Sequence, residues 1–69
     1  MDYSDVIEEM ERFDEAEIWC SPEHTDYKWE FYAIEEDEEL GGFKEYIGHG
    51  DDPVEAYHDA MENMVEVNE

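Results

Sequence analysis

Like-charge repulsion sets the terms on which this chain can fold. Twenty-four acidic residues face three basic ones across 69 positions, a formal net charge of -21, and a single-sign field of that size works against any compact state. An ordinary domain carries roughly 25% charged residues of both signs, so solubility alone does not account for the excess. High charge with a mean hydropathy of -0.93 is the usual signature of disorder. Two Trp, five Tyr and three Phe argue instead for a folded acidic domain with an aromatic core.

The apolar residues fall into short periodic runs. Val6, Ile7, Met10 and Phe13 recur at helical intervals behind Ser4 or Asp5 as cap, with Asp5 and Glu8 in capping-box spacing, which predicts a helix over 4–15. Residues 16–20 read as a short strand stopped by a Pro-containing turn at 21–26. Residues 27–34 give the clearest strand, with Tyr27, Trp29, Phe31 and Ala33 on one face and Lys28, Glu30, Tyr32 and Ile34 on the other. An acidic connection over 35–42 leads to a third strand over 43–47, and Gly48 to Gly50 are expected to break it. Asp52, Pro53 and Glu55 then start a second helix over 53–65. Its apolar stripe would comprise Val54, Tyr57, Met61, Met64 and Val65, and Met10, Met61 and Met64 would fill the core.

The expected fold is therefore α+β: a single small αβββα domain over 1–69, a three-stranded antiparallel sheet carrying two amphipathic helices on one face. Trp19, Tyr32 and Ile34 would lie on the uncovered face, as a dimer surface or a partner's anchor. A monomer or weak dimer is expected. Cys20 is the only cysteine, so no internal disulfide forms. The first residues have neither the basic start nor the apolar stretch of a signal peptide, and a reducing cytoplasm fits best.

Enzymatic and metal chemistry find little support. Cys20, His24, His49 and His58 are metal-ligand types, but only the first two are close in sequence, and structural zinc sites use paired ligands at short spacing. A partly buried thiol and exposed histidines are the simpler reading. The Glu35 to Glu39 run lacks the ligand alternation of a calcium loop, Ser21 has no base partner, and the glycine pairs match no phosphate-binding loop. No cofactor is expected. Direct nucleic-acid binding requires the Lys and Arg that the chain lacks.

The carboxylates themselves are the candidate site. Glu55, Asp59, Glu62 and Glu66 recur at steps of four, three and four, at rises of about 6, 4.5 and 6 Å along one helix side. Glu8, Glu9, Glu11 and Glu15 of the first helix, with Glu35, Glu36, Asp37, Glu38 and Glu39, form a second region. Acidic residues one turn apart, and at a helix C-terminus, cost stability, a cost that binding to a basic surface would offset.

In size and composition the chain resembles the phage-encoded DNA-mimic inhibitors, a group that includes anti-CRISPR proteins, restriction inhibitors and the uracil-DNA glycosylase inhibitor. Among these, the small αβββα build is most like an anti-CRISPR protein. The resemblance implies a phage protein acting in the host cytoplasm to evade host defence. Its partner would be a basic DNA-binding protein such as a Cas effector subunit, occluded by carboxylates that stand in for phosphates. Two other classes share the electrostatics: a small halophile-adapted domain, which would need high salt to fold, and an antitoxin-like regulatory module that neutralises a basic protein.

Overall fold

The computed structural model describes residues 1–21 and 28–68. The elements run α1 (Tyr3–Met10), β1 (Glu15–Cys20), β2 (Trp29–Asp37), β3 (Gly42–Gly50), α2 (Pro53–Glu62) and β4 (Val65–Asn68). The α+β class matches the sequence expectation, but the sheet has four antiparallel strands in the order β1-β2-β3-β4, one more than the sequence predicts. The expected turn at 21–26 lies outside the described residues apart from Ser21, as do His24 and Tyr27.

The added strand comes from the tail assigned to the second helix. Asn63 caps α2, and Val65 to Asn68 pair with β3 in a register that sets Val65 against Glu45 and Val67 against Phe43. Val-Glu-Val is a β-favouring alternation, and pairing with β3 outweighs helical propagation past Glu62. Met64 and Val65, expected in the core, are 39% and 55% exposed. Met10 and Met61 do pack against the core.

At the other end, α1 starts and stops earlier than the pattern predicts. Asp2 is the N-cap and forms a reciprocal capping box with Asp5. The helix ends before Glu11 with no cation in its last turn, where acidic residues oppose the macrodipole. Phe13 is nonetheless buried, delivered to the core by the turn into β1.

Helix-side positions follow from strand alternation: Ala16 and Ile18 of β1, Trp29, Phe31 and Ala33 of β2, Tyr46 and Gly48 of β3. Phe31 and Ala33 are fully buried with Val6, Ala56 and Ala60. Phe31 meets Phe13 and Tyr57 edge-on at 6.3 and 5.4 Å, and Phe13 meets Tyr46 at 5.1 Å. Tyr3 packs edge-on to Trp29 at 5.9 Å, so α1 lies on the same side of the sheet as α2. Such pairs each add about 0.5–1.5 kcal/mol beyond area burial, a substantial share for so small a core.

Gly48 and Gly50, expected to end the third strand, lie within it. A Cβ on Gly48 would overlap the Ala56 carbonyl oxygen and the Ala60 nitrogen, and one on Gly50 would collide with Glu55 and Ala56. These glycines let α2 rest on bare strand backbone. Gly41 is the turn glycine, with φ of 75°, closing the β2–β3 hairpin through its N–H to the Asp37 carbonyl. Gly48→Ala should therefore displace α2 and destabilise the fold by at least about 2 kcal/mol. Gly41→Asn should cost less than about 1 kcal/mol, since Asn tolerates the left-handed region. Chemical denaturation of both variants checks the contrast.

Candidate functional site

The carboxylates of the expected helical row have separate roles. β4 pairs only with residues 42–45 of β3, so among the described residues β3 beyond them has an edge with no strand beside it. α2 covers that edge with side chains. Asp59 accepts the His49 N–H at 2.9 Å, and Glu55 accepts the Asp51 N–H at 2.8 Å. Asp52 caps the helix by accepting from the Glu55 N–H at 2.8 Å. Asp59 thus docks the helix to the sheet, and Glu55 ties the first turn of the helix to the connection that follows β3.

Glu62 is exposed in the last turn of α2, and Glu66 is on β4, not on the helix, where it faces Lys44 across the ladder. The row expected along one helix side therefore ends at Glu62.

The second expected region is also divided. Glu15 belongs to β1, not to the first helix. Glu8 and Glu11 are exposed, whereas Glu9 pairs with Arg12 and accepts from the Tyr57 hydroxyl at 3.3 Å. Glu35 and Asp37 point to the helix side of the sheet, with Lys44 opposite Glu35 and its Nζ 3.7 Å from Asp37. Asp37 also accepts the Glu39 and Leu40 N–H groups at 3.0 and 3.2 Å, fixing the hairpin turn. Glu36 points the other way, and its N–H donates to Asp14 at 2.7 Å. Glu38 and Glu39 are exposed at the hairpin tip.

The sheet face away from the helices is the surface that the acidic pattern alone leaves undescribed. Register places Trp19, Tyr32, Ile34, Phe43, Ile47, Val65 and Val67 on it. Tyr32 and Ile47 are directly opposed at its centre, and Phe43 opposes Val67 near one corner. These side chains form a stripe running diagonally from β4 to Trp19 on β1. Glu15, Glu17 and Glu36 line one flank, and Glu30, 3.9 Å from His49, lies on the other. Glu45 sits within the stripe and accepts from the Tyr32 hydroxyl at 3.4 Å. The strand positions of this face contain no Lys or Arg. Trp19, Tyr32 and Ile34 are expected there from alternation; Phe43 and Ile47, to which the sequence pattern assigns no face, and the β4 residues, whose strand it does not reveal, are not.

At the hairpin end, Asp14, Glu15, Glu36, Asp37 and Glu38 line a shallow groove over Ile34 and Phe43. Among the described residues, no group of three or more His, Cys, Asp or Glu side chains is placed to hold a metal ion. Cys20 is exposed, not partly buried, and His49 and His58 are exposed as well. No described helix is long and apolar enough to cross a membrane. Comparison with protein families, curated proteins and solved structures found no match to the chain.

Among the described residues, the surroundings of two tyrosines push their phenols above the ordinary value. Burial disfavours the Tyr57 phenolate and the Glu9 carboxylate repels it; burial acts likewise at Tyr32, with Glu45 as the neighbouring charge. The unfolded chain therefore releases these protons first. Their stabilising contribution is complete below about pH 10 and is lost as pH rises through the folded values. A Tyr32→Phe, Tyr57→Phe double variant should lose less stability than the parent between about pH 9 and 11, as read by urea unfolding with an ultraviolet phenolate titration.

The split among the α2 carboxylates is testable by substitution. Asp59→Ala hands the exposed His49 N–H to water and should cost about 0.5–1.5 kcal/mol, whereas Asp59→Asn keeps an acceptor and should cost less. Glu62→Lys places a cation at the helix C-terminus and should add about 0.3–1 kcal/mol. Thermal unfolding of the three variants gives the order.

Proposed function

We propose that this protein is an inhibitor that imitates DNA, presenting carboxylates to the phosphate-binding residues of a basic DNA-binding protein, with a CRISPR–Cas effector as the favoured target. The supporting observation is its charge per unit length. A net charge of -21 along a longest axis of 37 Å is about one charge per 1.8 Å, against roughly one per 1.7 Å for duplex DNA. Setting aside Glu23, Asp26 and Glu69 leaves 21 acidic and three basic residues, or -18, and still about one charge per 2.1 Å on the same comparison. The long axis is also close to one turn of duplex, roughly 34–36 Å.

On this reading the mechanism is competitive occlusion and needs no catalysis. Lys and Arg side chains that would neutralise phosphates engage Glu8, Glu11, Glu38, Glu39 and Glu62 instead, the exposed carboxylates least committed to holding the fold. Long-range attraction accelerates the encounter, and added salt weakens it.

The test is fluorescence anisotropy of a labelled target duplex with a panel of purified Cas effectors. The chain should prevent duplex binding when added first, excess duplex should relieve the inhibition, and raised salt should weaken it. The triple variant Glu8→Lys, Glu38→Lys, Glu62→Lys should remain folded by circular dichroism and associate at least about tenfold more slowly. Inhibition that neither excess duplex nor salt affects, or none across the panel, would overturn the reading.

A further inference from the structure

We infer that the open face of the sheet is a docking site for a cationic amphipathic helix belonging to the basic partner, an inference that deepens the proposed function and rests on its basic-partner reading. Trp19 and Ile47 are 39% and 41% exposed on that face, and Val65 is 55% exposed. With Tyr32 between Trp19 and Ile47, and Val65 diagonal to Ile47, they form an oblique stripe rather than scattered surface residues, with Glu45, held by the Tyr32 hydroxyl, set within it.

Shape and charge select the occupant. From Trp19 to Val67 the stripe crosses three strand spacings of about 4.8 Å and three two-residue steps of about 6.8 Å, a diagonal of roughly 25 Å. A helix matches that length with about 17 residues at 1.5 Å each. Its apolar positions at i, i+3, i+4 and i+7 would lie on the stripe. Lys or Arg beside them would reach Glu15 and Glu17 on one flank and Glu30 on the other. A second copy of this chain fits poorly, since it would bring one set of flanking glutamates against another and double an already large net charge. A neutral helix would desolvate the same glutamates without compensation.

The face and the charged surface therefore divide the work of recognition. Glutamates capture a basic partner at long range, and the stripe holds it by contacts that salt does not screen.

The probe is a synthetic peptide of about 18 Leu and Lys residues with leucine at i, i+3, i+4 and i+7. Its control is a peptide of the same composition, scrambled so that no apolar face forms. Calorimetry at low salt and at about 0.5 M salt, where the Debye length falls below about 5 Å, measures affinity. Nuclear magnetic resonance of the unmodified protein follows the Trp19 indole and Ile47 methyl signals. The patterned peptide should bind at least tenfold more tightly than the scrambled one, retain that advantage at high salt, and shift both signals. Trp19→Ser with Ile47→Ser should remove the advantage, and Val65→Ser, at the most exposed of the three positions, should reduce it.

Equal affinity for the two peptides, or unmoved Trp19 and Ile47 signals, would overturn the inference while leaving a purely electrostatic DNA mimic standing. Sedimentation showing a dimer that Ile47→Ser dissolves would overturn it by making a second copy the occupant. Selective binding of the patterned peptide by a chain that inhibits no effector would uphold the docking face and sink the DNA-mimic reading.

Discussion

A carboxylate that accepts a hydrogen bond from a main-chain N–H keeps its charge beside a positive partial charge without needing a lysine or arginine. This fold depends on that interaction, because three basic residues cannot balance the carboxylates that its elements require at their ends. Asp2 and Asp5 close the start of α1, Asp52 starts α2, and Asp37 fixes the hairpin. Asp14 secures the end of β2, Asp59 covers the part of β3 that β4 leaves open, and Glu55 holds the connection into α2. Such bonds, with an ionised acceptor, are stronger than neutral ones. They let an intensely acidic chain close its helix ends and sheet edge using the charge that would otherwise oppose folding.

The same constraint explains why the core is lean and aromatic. With so much of the sequence committed to carboxylates, the sheet and helices meet through a few large rings and through positions with small side chains or none. Phe13, Phe31, Tyr46 and Tyr57 interlock edge-on, while Gly48, Ala56 and Ala60 bring α2 against strand backbone. Both helices lie on that side, which leaves the opposite face uncovered. The four strands present there a surface that is apolar along its diagonal and acidic at its margins.

Local signals marked much of this architecture. The start of α2 was legible because cap, proline and acidic residue occur together at Asp52, Pro53 and Glu55, and β2 because aromatic alternation separates Phe31 and Ala33 from Tyr32 and Ile34. β4 was not legible because Val65 falls one helical turn beyond Met61 while also alternating with Val67; only pairing with β3 decides between the two. Gly48 and Gly50 resemble a strand end until a helix is found lying on them. The candidate site was less legible for a related reason. Spacing put Glu55, Asp59, Glu62 and Glu66 in one row, but whether a carboxylate faces solvent or holds a neighbouring amide depends on where α2 ends and which strand edge lies beside it.

Among the described residues, every aspartate except Asp51 accepts a main-chain hydrogen bond, whereas glutamates supply most of the outward charge. Glu55 apart, short acids stitch the backbone and long acids clothe it. Because the two tasks fall largely to different residue types, glutamates on the outer surface can be exchanged, moved or lost without disturbing the stitches beneath. A lineage built on this plan could retune its surface charge while keeping the same frame.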